Sequence, residues 1–524
     1  MKLKVLSSLN KVFKDTEPNF PELKEFSALK NENFSFQIAF IPENESETDF
    51  SVSLDSVLKD EIKVYYVKNI PAGKNGDERS DSFHYDLNRT EFPDLLLPVT
   101  DTISVPQGEW HSLWFEYKPE TYKSGEHKIK ITINTKGQSF EKEFTLKIID
   151  KELPPQQILY TNWFHNDCLL TYYGVEIFSE RYWKIAENYI KNAVEHGMNM
   201  ILTPVFTPPL DTEVGGERPT VQLVKVTKEN NTYSFDFKNF EHYVEICLRN
   251  GIKAFEISHL FTQWGAEKAP KIVATVNGEE KRIFGWDTDA SGDDYRYFLK
   301  QFSKAFREET EALGIKNICW IHVSDEPSES NFETYKKASD IVHNFFSDFN
   351  SFDALSDIDF YKKGLIKTPV CGEDEADVFR KEVEIFWTYH CCTQVHNFLP
   401  NRMFSQPSLR NRIFGVLLYK YNADGFLQWG HNFWYSQYSK YPINPFEVTD
   451  AGGAFPSGDS FMVYPGEDGK PLNALRHKVF LDAMQDLRAL RLLEGLKGRD
   501  FVLNFIEEGL DVPLSFSTDR KSVV

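Results

Sequence analysis

Asn317-Ile318-Cys319-Trp320-Ile321-His322-Val323-Ser324-Asp325-Glu326-Pro327 opens as a short apolar run and ends in two adjacent carboxylates and a proline. The run predicts a buried strand. Acids at the mouth of such a strand cost free energy unless partners satisfy them or chemistry needs them. A helix is expected next over residues 331–346. Ser330 opens it and Glu333 follows three residues later, a capping-box pattern. With its own cap, that helix has no need of Asp325 or Glu326.

Strands and helices alternate on both sides of this stretch. Apolar runs at 158–164, 198–206 and 252–259 precede it, and runs at 352–355, 369–371, 385–389 and 425–429 follow. Helical periods cover 179–196, 240–250, 293–313, 331–346, 409–421 and 472–496. The first three end in Gly197, Gly251 and Gly314. A hairpin with arms 221–226 and 232–237, hinged at Glu229-Asn230-Asn231, interrupts the series. Eight strands alternating with helices predict a (β/α)8 TIM-type barrel over residues 153–524. An open doubly wound sheet is the competitor. No G-x-G-x-x-G or G-x-x-x-x-G-K-[ST] follows a strand, which removes support from its nucleotide-binding forms.

Residues 1–152 read differently. Runs at 33–40, 62–67, 128–134 and 144–149 alternate apolar and polar residues between Gly, Pro, Asn and Asp, which predicts an all-β sandwich domain. The polar stretch 74–81 is expected to be a mobile loop. Leu153-Pro154-Pro155 marks the transition to the barrel.

The 524-residue chain carries a net charge of −20, which argues against nucleic acid and anionic membrane as partners. No run approaches the ~18 apolar residues of a membrane span. The N-terminus lacks the apolar core of a secretion signal. The six cysteines include no C-x-x-C, and adjacent Cys391-Cys392 reads as structural. Together these features predict a cytoplasmic protein with reduced cysteines and no cofactor. Aromatic residues make up 15% of the chain, enough to supply both a large core and ring-stacking surfaces.

Barrel active sites lie at the C-terminal ends of the strands. In this chain those ends bring His165 and Asp167, Asp211, Glu256 with His259 and Trp264, the Asp325-Glu326 pair, Asp357 with Asp359, Trp387 with Tyr389 and His390, and Trp429 with Trp434. Acids with indole platforms suit a glycosidase, which must move protons and hold a pyranose. Trp387, Tyr389, Trp429 and Trp434 are the candidate sugar platforms, and His165, Asp211 and His322 are candidates for binding sugar hydroxyls. A metal site built from His165, Asp167, His259, His322 and His390 lacks the H-E-x-x-H or H-x-H spacing, so no metal is expected.

Three ordered segments resemble glycoside hydrolase family 123. They are Asp325-Glu326-Pro327 after its strand, Gly425-Phe426-Leu427-Gln428-Trp429 with Trp434, and the run from Gly458 to Gly466 leading into a terminal helix. The helix matches the family's R-x-x-x-x-R-D-G-x-x-D core only in part. Arg476 and Asp486 are present, but Leu481-Asp482-Ala483 stands where R-D-G would fall. The resemblance covers about residues 155–500 and implies a retaining β-N-acetylgalactosaminidase that uses substrate assistance. It makes Glu326 the general acid and base, and Asp325 the group that orients the substrate's acetamide. The expected partner is a small oligosaccharide or glycoside. Two alternatives stay open: a two-carboxylate retaining glycosidase with an acid such as Glu256 as nucleophile, and a non-catalytic carbohydrate-binding barrel.

Overall fold

The computed structural model describes residues 1–121, 123–511 and 513–516; residues 517–524 of the expected barrel region lie outside them. The N-terminal strands form two five-stranded sheets. One runs Lys2–Ser7, Phe34–Ile41, His111–Tyr117, Ile62–Pro71, Glu91–Pro98. The other runs Glu25–Leu29, Ser139–Ile149, Gly125–Thr135, Asp49–Asp55, Ile103–Ser104. Period-two patterning turns Phe34, Phe36, Ile38 and Phe40 into an apolar core shared by both sheets. Phe36 stacks on Phe115 of its own sheet at 4.9 Å and on Phe144 of the other at 4.8 Å. The alternation signal reveals four of these ten strands. It misses strands such as His111–Tyr117, where the continuous apolar run Leu113-Trp114-Phe115 breaks the alternation.

Eight short strands then close a barrel: Leu159–Asn162, Met200–Thr203, Ala254–Ile257, Cys319–Ile321, Asn350–Ala354, Thr368–Gly372, Trp387–Tyr389 and Gly425–Gln428. Neighbours in the chain pair in parallel, and the eighth pairs with the first from Leu159↔Gly425 to Asn162↔Gln428. Closure rules out the open-sheet alternative. All eight strands fall within or close to the expected apolar runs. Helices lie in the connections, but those after the fifth and sixth strands shrink to Ile358–Lys362 and Ala376–Glu382. The hairpin Lys225–Glu229/Thr232–Asp236 joins Ile272–Val276 and Glu279–Phe284 in a separate four-stranded sheet. No helix among the described residues is long and apolar enough to cross a membrane.

Two local expectations are corrected. The capping box is formed by Ser328 and Asn331 rather than by Ser330 and Glu333, and the helix proper is Phe332–Phe345. Asp325 and Glu326 still play no part in it. The stretch 74–81 is stitched to the barrel: the Lys74 amide donates to Asp450, the Ser457 amide to the Lys74 carbonyl, and Asp81 pairs with the buried Arg410 at 2.9 Å. Its polar composition reflects a need for polar partners, and protein groups supply them.

Buried ion pairs join one of the N-terminal sheets to the C-terminal helix Leu475–Lys497. Arg476 meets Asp94 at 2.8 Å and Lys478 meets Glu116 at 2.7 Å. Arg476 also donates to the carbonyls of Arg402, Gly458 and Phe461. Asp94→Ala strands a buried guanidinium and is expected to destabilise the fold by about 3–5 kcal/mol, read as a lowered thermal midpoint. An unchanged midpoint would show that the carbonyls alone satisfy Arg476.

Candidate active site

The fourth barrel strand delivers Asp325 and Glu326 to a cavity at the C-terminal ends of the strands, where Trp163, Asp211, Trp264, Tyr389 and Trp429 also line the wall. The backbone there is unusual. Glu326 adopts φ +42°, a left-handed conformation that costs a non-glycine residue roughly 1–3 kcal/mol. Two hydrogen bonds hold it: the Glu326 amide donates to the Ala354 carbonyl, and the Trp264 amide donates to the Asp325 carbonyl.

Beneath the pair lies a buried charge cluster. His322 Nε2 is 2.6 Å from Glu256 Oε1, and His322 Nδ1 is 2.9 Å from Asp353 Oδ1. All three side chains are fully buried. Burial would lower the His322 pKa, but the hydrogen bonds to Asp353 and Glu256 outweigh it and raise it to about 9. Glu256 also accepts from Thr161 and Trp163. Asp353 also accepts from Tyr335 and from the amides of Val323 and Ser324.

Burial pushes the Asp325 carboxyl well up, the Glu326 charge pushes it further, and the His322 cation opposes both. Glu326 is open to solvent as a residue, but its carboxyl is enclosed enough for desolvation to raise its pKa. Tyr389 opposes that rise by donating to Glu326 Oε1 at 2.7 Å. Burial raises both carboxyls, and the Glu326 charge raises Asp325 further, so the two adjacent acids resist being ionised together. Asp211 is raised to about 6 by burial, against a hydrogen bond from the Tyr438 amide.

Of the residues singled out from the sequence, Asp325, Glu326, Asp211, Trp264, Tyr389, His390 and Trp429 meet at this cavity. Four of the candidates for sugar binding sit elsewhere. His322 is fully buried with both ring nitrogens engaged, so it supports the pair from below and has no free nitrogen for a sugar hydroxyl. His165 is buried between the Trp429 carbonyl and Arg218; burial, then the guanidinium, keeps it neutral. Trp387 lies against Trp320 and Phe352 in the barrel interior. A Cβ on Gly425 would come within 2.2 Å of its ring, so the glycine makes room for the indole. Trp434 is buried against Tyr172 and Tyr189 and donates to the Val463 carbonyl. The periodicity that placed these rings at strand ends does not say how deep each one sits.

Cys391 and Cys392, read as structural, border the cavity. Asp357 is a helix N-cap, accepting from the Asp359 amide. Asp353 carries a sequence signal of its own, an acid between Phe352 and Ala354 in an apolar strand. Gln263 and Phe455 line the cavity with no sequence signal.

Raised carboxyls among indole and phenol rings at the mouth of a parallel barrel have the make-up of a glycoside hydrolase site. The family model for the glycoside hydrolase 123 catalytic domain matches residues 163–493, and the chain belongs to that family. Among solved structures, the chain is similar to a family 123 glycoside hydrolase from Clostridium perfringens, described for glycolipid glycan hydrolysis. The TM-score is 0.76 at 16% identity, over 98% of this chain and 92% of that one. The β-glucuronidase of Parabacteroides merdae aligns at a TM-score of 0.31 and 13% identity, over 91% of this chain and 52% of that one. A search of curated proteins finds no match.

Two predictions follow from the geometry. His322→Gln leaves Glu256 and Asp353 facing each other without a cation and should cost about 3–5 kcal/mol of stability. Because the folded pKa of His322 is raised from 6.5 to about 9, its contribution is full below pH 6.5 and is lost as pH rises through 9. Denaturant unfolding across that window should show the wild-type decline and a flatter one for the variant. In Tyr389→Phe, Glu326 loses a donor that favours its anion, so its pKa rises. The Glu326 carboxyl titration, followed by NMR, should move to higher pH by about one unit; a shift to lower pH would contradict the assigned hydrogen bond.

Proposed function

We propose that the protein releases a terminal β-linked 2-acetamido sugar, N-acetylgalactosamine, with retention, the substrate's own acetamide acting as nucleophile. The observation that carries the reading is the adjacency of Asp325 and Glu326 at one cavity wall above a buried His322 cation. Glu326 protonates the leaving glycosidic oxygen and later deprotonates the incoming water. Asp325 accepts the acetamido N–H and stabilises the oxazolinium that forms when the acetamide carbonyl oxygen attacks the anomeric carbon. The substrate N–H adds to the His322 charge in favouring an ionised Asp325, against the burial and Glu326 charge that raise it in the free site, and so moves the proton to Glu326 for the leaving group.

The two-carboxylate alternative loses its nominated nucleophile. Glu256 has no exposure and is already bonded to Thr161, Trp163 and His322. A glycan substrate also agrees with the glycolipid glycan hydrolysis described for the similar Clostridium perfringens enzyme.

Glu326→Gln is expected to lower kcat on an aryl β-N-acetylgalactosaminide by about 10²–10⁴-fold. Asp325→Asn should lose about 10²–10³-fold on that substrate, and far less on an aryl glycoside without the acetamide. A thiazoline mimic of the oxazolinium should inhibit the wild type. Unchanged turnover in Glu326→Gln, or no effect of the thiazoline, would sink the assignment.

A further inference from the structure

Trp264 is 42% exposed at the cavity mouth and sits in a left-handed conformation at φ +58°. Folding offers no gain for an exposed indole on a strained backbone, which points to a use in binding. Left-handed non-glycine residues occur elsewhere too, at Phe178, Asn277 and Asn422 among others, but several gather near this rim. These are Asp211 at φ +38°, Ala266 at +58°, Glu326 at +42°, Tyr438 at +61° and Ser439 at +53°.

The turn carrying Trp264 is bonded to the catalytic strand at several points. Its amide donates to the Asp325 carbonyl and its carbonyl accepts from Asn331 Nδ2. Ser324 Oγ donates to the Thr262 carbonyl, and the Gln263 side chain accepts the Asp211 amide. The next residue, Gly265, has φ +127°, and a Cβ there would come within 2.8 Å of the Asn331 side chain. The ring meets Tyr438 edge-to-face at 5.8 Å, and the Tyr438 amide is itself held by Asp211. The indole is thus fixed relative to Asp325 and Glu326 without being buried.

Depth assigns its ligand. Trp163 and Tyr389, at 4% and 5% exposure, lie deep in the cavity, where the sugar that reacts must sit. Glu326, the proton donor to the leaving oxygen, is the member of the pair that opens outward. Whatever hangs from that oxygen leaves past Glu326, along the wall that Trp264 forms. We infer that Trp264, braced by Tyr438, is a stacking platform for the sugar on the leaving-group side of the scissile bond. This rests on the proposed glycosidase reading and names the part of the substrate that Trp264 recognises.

The test measures binding in the inactive Glu326→Gln enzyme by titration calorimetry with two probes. These are N-acetylgalactosamine and the methyl glycoside of N-acetylgalactosaminyl-β-1,3-galactose. Adding Trp264→Ala should weaken the disaccharide by about tenfold and leave the monosaccharide within about twofold, with no change in thermal midpoint. Trp264→Phe should restore most of the lost affinity. Equal weakening of both probes, or of neither, overturns the inference. If the Glu326→Gln enzyme with Trp264 intact binds no N-acetylgalactosamine, the sugar assignment fails and this subsite falls with it.

Discussion

One imidazole between two carboxylates organises the catalytic end of the barrel. Glu256, His322 and Asp353 come from the third, fourth and fifth strands, so the contact ties three neighbouring strand ends where no water reaches. A charge cluster in that position is stable only while every member has partners. Thr161, Trp163, Tyr335 and the amides of Val323 and Ser324 complete the set. Those amides belong to the backbone that leads into Asp325. The bonds that satisfy the cluster also hold the backbone beside the proposed catalytic pair: Asp353 fixes the approach to Asp325, Glu256 bonds Trp163, and His322 supplies a positive charge near Asp325.

The rest of the chain acts as a frame for that end. The C-terminal helix packs closely enough on Phe414–Lys420 that a Cβ on Gly415 would lie 1.8 Å from the Ala483 carbonyl. Its Arg476 reaches both Asp94 in the N-terminal sheets and the Gly458–Phe461 backbone beside the eighth strand. Asp459 in that segment accepts the Trp429 indole N–H at 3.0 Å, so the frame extends to a cavity wall. This helix carries the altered part of the terminal motif, with Leu481 and Ala483 in place of Arg and Gly. Arg476, which the motif shares, makes the long-range contacts.

Legibility in the sequence followed local physics. The barrel strands were readable because each is a short apolar run bounded by helical periods and glycine stops, whereas closure appears only in the pairing of the eighth strand with the first. The acid pair was readable because charge at the end of a buried strand is costly. The capping residues were shifted by two positions, since Ser328 and Ser330 both suit a cap and only backbone geometry chooses between them. Trp387 and Trp434 were placed in the site and belong to the core, whereas Trp264 stands at the rim. Indoles look alike in sequence, and their depth depends on what packs opposite, such as the bare backbone at Gly425.

The sequence by itself determined the succession of strands and helices along the chain, the adjacency of Asp325 and Glu326, and the family to which the chain belongs. These are properties of neighbouring residues and of patterns with a fixed period. Tertiary structure alone decided which carboxylates are free to act. Glu256 and Asp353 are chemically as capable as Asp325 and Glu326. They are consumed by His322 because strand register brings all three together, and a contact across 66 residues of chain leaves no trace in any local pattern.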